Sequence, residues 1–467
     1  MRFSKSHGET LLYRGFLALL FWAPLPFASN RPWGGALLVL ASSVLAACWL
    51  LLNISELIRG QGALSRLKLL PVVLLLLVQV GVYCQTIPLP HRWVELLSPH
   101  AAGLHLLKGD IPLSLDAELT RRHWLHGMGY TLAFVLTGLL INTRDRARQM
   151  LWTLVLSGAF QSIYGVMMVF TGLEYGFFVE KYSGREVVTG TFVNRNHLSG
   201  YLVMCLAAGA GLLISQLGET RPGTFKDWMR RLAELVLSTK FRLRILLALM
   251  VVALLLTRSR MGNIAFFFSL SLAGLITWSC SERKKSSRIA VLLGSMLLVD
   301  LVIVGQWFGT QEVADRIVQT RVEEESIVQV TGYSLDIIRD YPLTGSGGGT
   351  FYTVFPHYSD TALKGDYYIH AHNDYVEMAS DMGLPLIALL GVFVLLTLAQ
   401  AFLRQFRTTD KLSQGVGFAG LMAIFWAALH ATVDFNLYIP ANAFTLCALL
   451  GLVWHLTVKP GKEDKFP

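Results

Sequence analysis

Charge is what this chain has least of. Of 467 residues only 15% are Asp, Glu, Lys or Arg, while 53% are hydrophobic, and the mean hydropathy is positive. That balance excludes a soluble globular or disordered chain and indicates a polytopic membrane protein. Cysteine is sparse too. Cys48, Cys84, Cys205, Cys280 and Cys447 lie in or at the ends of apolar spans without paired spacing, which gives neither a disulfide framework nor a metal cluster. No internal repeat or low-complexity tract is visible, which disfavours inverted-repeat transporter folds. The first apolar stretch lacks a small-residue cleavage site and contains Trp22, Pro24 and Pro26, so it reads as a retained span.

What is present is a series of apolar segments of roughly 17–24 residues, enough to cross a hydrocarbon core of about 30 Å as helices. Twelve are expected, at about 10–28, 34–53, 68–87, 124–142, 149–171, 198–216, 244–257, 262–280, 289–306, 385–403, 415–434 and 440–457. With the N-terminus inside, every second connection is Lys/Arg-rich: Ser55–Lys68, Thr143–Arg148, Arg221–Arg244, Ser281–Arg288, Arg404–Lys411 and the Lys459–Lys465 tail. The positive-inside rule then places both ends in the cytoplasm. The net charge of +9 belongs to those loops, where it sets topology and meets anionic lipid rather than nucleic acid. The fold expected is an all-α polytopic membrane protein of about twelve transmembrane helices, N-in and C-in. Its parts are helices 1–9 (residues 1–306), a large, partly helical outside loop (307–384), and helices 10–12 with a short tail (385–467). In that loop a helix is expected over 323–340, with Ile327, Val330, Ser334 and Ile337 on one face. A loop of this length is usually a lid or binding element.

Three outward clusters have residue types suited to chemistry. Thr189–His197 carries Arg195 among Asn194, Asn196 and His197. A snorkelling interfacial arginine is the plain alternative. Thr257–Gly262 carries Arg258 and Arg260 on an outside turn, against the positive-inside trend and at a cost of ~2.5–3.5 kcal/mol for charge at membrane depth. Either the turn is incidental and solvated or an anion sits there, and guanidinium is the fork that best matches phosphate oxygens. The third cluster, His370–Gly383, holds His370, His372, Asn373, Asp374, Tyr375 and Glu377. His-x-His beside carboxylates could ligate a metal. Asn373-Asp374 could instead cap a helix running from Tyr375 into the membrane, with Glu377 in its first turn. His372 would then stand at a positive helix end, which favours the neutral base. A neutral histidine facing phosphate-binding arginines can take a proton from an attacking hydroxyl while the arginines hold a departing pyrophosphate.

These residues carry a resemblance. Asn194-Arg195-x-His197, Thr257-Arg-Ser-Arg260-x-Gly262, Asp340-Tyr-Pro-Leu-Thr-Gly345 and His372-Asn-x-Tyr375-x-Glu377 occur in order over roughly residues 185–450. The pattern resembles the O-antigen ligase and O-antigen polymerase superfamily of bacterial inner-membrane glycosyltransferases. The resemblance implies a periplasm-facing site. It implies transfer of a glycan from an undecaprenyl-pyrophosphate donor to a sugar hydroxyl, on lipid A core for a ligase or on a growing polysaccharide for a polymerase, with no cofactor and no metal ion. It places the essential histidine at His372 and the pyrophosphate-binding arginines at Arg195 and Arg260, with Arg258 beside them. The segment Pro24–Trp33 resembles members from exopolysaccharide clusters, and the soluble C-terminal repeat domain of some relatives is absent.

Two features stand apart. His430 and Asp434, four apart near the outer end of span eleven, would share a helix face as a functional pair or a structural hydrogen bond. Asp300 in span nine is a packing or snorkelling residue, or a proton relay. A transporter or flippase is the competing class. It predicts broken helices and coupling-ion residues near the midplane, whereas Arg and His here gather at the outer boundary. A scaffold protein would be insensitive to loss of His372.

Overall fold

The computed structural model describes residues 2–59, 64, 67–104, 109–176, 179–181, 184–216, 239–280, 294, 328–360 and 368–456. The chain is mostly helical. The long helices are α1 (Arg2–Trp22), α2 (Pro32–Ile58), α3 (Leu69–Cys84), α6 (Ala117–Leu140), α7 (Arg144–Thr171), α8 (Arg195–Ser215), α9 (Thr239–Leu256), α10 (Arg260–Ser279), α14 (Leu384–Phe406), α15 (Lys411–His430) and α16 (Pro440–His455). Short helices α4 (His91–Leu97), α5 (Pro99–Leu104), α12 (Phe351–Val354) and α13 (Asp374–Met382) lie between them, with a helical stretch α11 over 328–340. A ribbon of Tyr175–Gly176 (β1) against Val179–Glu180 (β2) is the sole sheet among the described residues.

Each expected span other than 289–306 coincides with a long helix; that span, residue 294 apart, and with it Asp300, lie outside the described residues. Among those residues, α2, α7, α8, α10, α14 and α15 are long and apolar enough to cross a membrane, and α3 and α16 are shorter apolar helices. The protein is a multi-pass membrane protein. Burial sorts these helices by position. In α8, 94% of the apolar window is buried, against 22% in α2 and 17% in α14. A helix apolar on every side, as α8 is, belongs at the centre of a bundle. It packs on α15, α7, α9 and α10. Around this centre, α6 packs on α16, α2 and α3, and α14 on α15 and α3. The exposed apolar faces of α2 (Leu37, Leu40, Val44, Leu51) and α14 (Val392, Leu395) suit lipid rather than water.

A second, smaller core lies apart from the bundle. Val94, Ala101, Ile111 and Leu113 pack with Val330, Ile337, Tyr341, Phe351 and Ala371, so the two long connections close over a common apolar cluster. Val330, Ser334 and Ile337 are fully buried along α11, the face read from the sequence; Ile327 lies outside the described residues. Two expectations need correction. The helix opened by Asn373 does not run on into a membrane helix: α13 stops at Met382, and Gly383, at φ 80°, turns the chain into a separate α14. His430 and Asp434 do not share a helix face, because α15 ends at His430 and Asp434 lies in the turn beyond it.

Candidate functional site at three converging helix starts

The start of α8 is fixed from behind. Thr191 donates its hydroxyl to the Pro24 carbonyl at 2.6 Å and its backbone N–H to Gln161 Oε1 at 2.9 Å. Asn194 then caps the helix, accepting from the Asn196 N–H at 2.8 Å. Arg195, the first helical residue, is exposed, and His197 in the same turn is buried. A helix N-terminus carries roughly half a positive charge, so this end favours anions before any side chain is counted.

Helix α10 begins beside it. Ser259 is the N-cap and accepts from the Gly262 N–H at 3.1 Å; Arg258 and Arg260 flank it, both exposed. The hydroxyls of Ser199 and Ser259 are 3.4 Å apart. The close approach depends on Gly262, where a Cβ would lie 2.1 Å from Ser199 Oγ. Two helix starts, one opened by Arg195 and one by Arg260, therefore adjoin at the same end of the bundle.

The third start is α13. Asn373 caps it through the Val376 N–H at 3.1 Å and donates its amide to the Thr432 carbonyl at 3.1 Å. The Asp374 N–H donates to the carbonyls of Ala431 and Asp434, and Tyr375 Oη donates to the Ala428 carbonyl at 2.9 Å. The helix is thus moored to the end of α15. Glu377 is buried; its Oε2 accepts from the Ala371 N–H at 2.7 Å and its Oε1 meets His370 Nδ1 at 2.7 Å. His372 is half-buried, with a left-handed backbone at φ 51°. Arg258 has the same conformation at φ 53°, and each stands one residue before an N-cap. Such a backbone costs a non-glycine residue on the order of 1–3 kcal/mol. Among the described residues, no hydrogen bond engages the His372 ring.

One aromatic ring links the first and third clusters. Phe435, in the turn between α15 and α16, stacks on His370 with ring centres 4.0 Å apart and makes T-shaped contacts with His372 at 5.0 Å and His197 at 4.7 Å. His197 Nε2 lies 3.7 Å from Asp434 Oδ1, an ion-pair distance longer than a hydrogen bond. His430 bonds not to Asp434 but to Asn436 at 2.9 Å; Asn436 Oδ1 accepts from the Asn442 amide, which also donates to the His197 carbonyl. This turn joins the starts of α8 and α13, and the Ser199–Ser259 contact sets the start of α10 beside that of α8.

Burial governs the charges. It lowers the pKa of His372, and His370 and His197 add to that while Asp434 opposes it. The neutral base form is favoured chiefly by desolvation, with the helix end reinforcing it. Burial also lowers His370, to about 4, and raises Glu377 well above the usual carboxylate range, so the pair is driven toward its neutral form. Asp381 is raised to about 8, by burial and by Glu377, although three donors (Gly349 N–H, Phe351 N–H and Tyr438 Oη) converge on it. No group of three His, Cys, Asp or Glu placed to hold a metal occurs among the described residues, and His370 is committed to Glu377 and Phe435.

Sequence reasoning passed over Phe435, Tyr438 and Asp381, although Asp381 lies within the His370–Gly383 segment and Phe435 and Tyr438 follow closely on Asp434. A signal was available in Asp381, an acid next to the apolar end of a short helix two residues before Gly383. Gln85 had none. Its amide donates to the carbonyls of Thr344 and Asp381 and its Oε1 accepts from the Gly348 N–H, tying α3 to the Pro342–Gly349 turn and to the end of α13.

Residues 245–391 match the family model described as O-antigen ligase. The match takes in Arg258, Arg260, His370, His372, Glu377 and Asp381; the Arg195 start and the Asp434–Tyr438 turn lie outside it. A comparison with curated proteins finds no match. The domain supports a ligase- or polymerase-like glycosyltransferase function in surface polysaccharide biosynthesis. Two of the three converging helix starts thus fall within one recognised domain, and this multi-pass membrane protein carries an O-antigen ligase family domain over residues 245–391.

Proposed function

We propose that the protein transfers a glycan from an undecaprenyl-pyrophosphate donor to a sugar hydroxyl, on lipid A core or on a growing polysaccharide, at the periplasmic face of the bacterial inner membrane. The observation that carries this reading is the arginine-opened pair of helix starts, linked through the Phe435 ring to a half-buried histidine whose neutral form burial favours. The donor pyrophosphate lies across the N-termini of α8 and α10, held by Arg195 and Arg260 with Arg258 at the rim; guanidinium and helix N–H groups suit its oxygens. His372 takes the proton of the acceptor hydroxyl as that oxygen bonds to the sugar's anomeric carbon. The bond from that carbon to the phosphate oxygen breaks, and the lipid pyrophosphate departs with the electron pair, stabilised by the arginines. No metal or other cofactor takes part. Asn194, His197, Asn373, Tyr375, His430 and Asp434 hold the frame described above. Twelve spans with both termini inside put the 307–384 segment, between spans nine and ten, on the same side as the donor head group.

The test is transfer by the purified protein in lipid nanodiscs with lipid-linked glycan and candidate acceptors, with and without chelator. His372→Ala is expected to lose about 10²–10⁴ of the rate, and chelator to leave the wild type unaffected. Movement of the lipid-linked donor across the bilayer without transfer, or a chelator loss restored by added metal, overturns the reading.

A further inference from the structure

We infer that Glu377 is the positioning residue for His372, acting through Ala371 and His370 rather than on substrate; the inference rests on the reading of His372 as the base. The problem it solves is conformational. Non-glycine residues occupy the left-handed region only sparingly, though histidine more readily than most, and one left to itself there relaxes to extended backbone and swings its ring away. His372 is prevented from doing so by anchors on both sides. After it, Asn373 and Asp374 are pinned to the α15–α16 turn through Thr432, Ala431 and Asp434. Before it, the only side chain among the described residues that anchors the chain by hydrogen bonds is Glu377, which holds the Ala371 N–H with one oxygen and His370 Nδ1 with the other.

The arrangement extends a capping box. In the ordinary motif a glutamate at the third helical position reaches back to the N-cap N–H. Glu377 is the fourth residue of α13 and reaches past the cap to the N–H two residues before it, enclosing His372 in the loop so formed. The second oxygen adds a lateral contact. His370, fixed by Glu377, lies nearly parallel on Phe435, with planes inclined by 16°, and Phe435 makes a T-shaped contact with the His372 ring. One buried carboxyl group therefore sets both the backbone that carries the base and the floor beneath its ring.

The geometry, rather than the charge, is what matters, and this separates the substitutions. Glu377→Gln keeps an acceptor for Ala371 and offers an N–H to His370 Nδ1, so it is expected to keep most of kcat. Glu377→Asp keeps the acid but is one methylene short of serving both partners; it and Glu377→Ala are expected to lose about 10²-fold in kcat, the effect of misplacing a catalytic group by ~1 Å. The donor KM should stay within about threefold, since Arg195 and Arg260 are unaffected. The acid limb of the pH–rate profile should also move up in Glu377→Asp as the ring loses its buried seat; of the groups that face it, Asp434 and His197 make no contact with Glu377, while His370 loses its carboxyl partner.

The experiment measures kcat, donor KM and the pH–rate profile for these three variants beside His372→Ala, with membrane protein level and melting temperature recorded for each. An active Glu377→Asp, or a dead but folded Glu377→Gln, overturns the positioning role, and Glu377→Asp decides where Glu377→Ala does not accumulate. An active His372→Ala instead overturns the parent reading of the base.

Discussion

Replacing Gly262 by alanine tests whether the two arginine-bearing helix starts must stand at their observed separation. The added Cβ would lie 2.1 Å from Ser199 Oγ, 2.5 Å from Ser199 Cβ and 2.8 Å from Ser259 Oγ. Carbon atoms in ordinary contact sit about 3.5–4.0 Å apart, so α8 and α10 must part by roughly 1 Å. A serine side chain is too short to turn aside. Overpacking of this kind costs about 1–3 kcal/mol, and alanine returns up to about 1 kcal/mol through its helix propensity. The net loss of stability is therefore small, and the melting temperature should fall by only a few degrees. Transfer should suffer far more, because a ~1 Å misplacement costs about 10²-fold, equivalent to about 2.7 kcal/mol of barrier. Initial rates with lipid-linked donor and acceptor measure this directly. Ser199→Gly removes the clashing group, so the double variant Gly262→Ala/Ser199→Gly should recover much of the rate. Full activity in Gly262→Ala, or a double variant no better than the single, would refute the claim that this contact sets the donor site.

Other expectations bear on charge, pH and topology. Arg195→Ala and Arg260→Ala should each abolish most transfer at normal protein level, and Arg→Lys should restore only part, since an ammonium lacks the bidentate fork; an Arg260→Ala enzyme at full rate would move the role to Arg258. Burial lowers the His372 pKa, so activity should hold as pH falls below the ordinary histidine value of about 6.5 and drop only through the lowered one; an acid limb at or above 6.5 would show a different base. Reporters fused within 310–380 should behave as periplasmic and those within 221–243 as cytoplasmic, and swapped signals would put the arginines and His372 in the wrong compartment.

Much of the bundle was legible because hydropathy reports span positions with little help from neighbours, and the described helices fall where the apolar segments are. Arg195, Arg260 and His372 stood out because charge at the end of an apolar span is expensive and therefore visible. Their meeting place was not legible. Phe435 looks like any core phenylalanine, and only the fold shows three imidazoles around it. The i,i+4 reading of His430 and Asp434 failed because the sequence shows no stop signal at His430: the helix ends by folding into the turn that receives α13, a tertiary cause. The continuous helix after Asn373 failed for the opposite reason. Gly383-Leu-Pro385 is a stop-and-restart signal in plain view, outweighed by the apolar run that follows.

The break at Gly383 has a mechanical consequence. Membrane helices adjust their tilt to the thickness of the bilayer, and α14, the least buried of the apolar helices long enough to span it among the described residues, is the one of these most open to that adjustment. Had the helix carrying His372 been continuous with α14, each change of lipid would have swung the imidazole like the end of a lever. Instead α13 is a separate piece, bonded through Asn373, Asp374 and Tyr375 to the corner where α15 ends, and α15 packs against the central α8. The histidine keeps its bearing from the middle of the bundle, and the lipid-facing helix can lean without steering it.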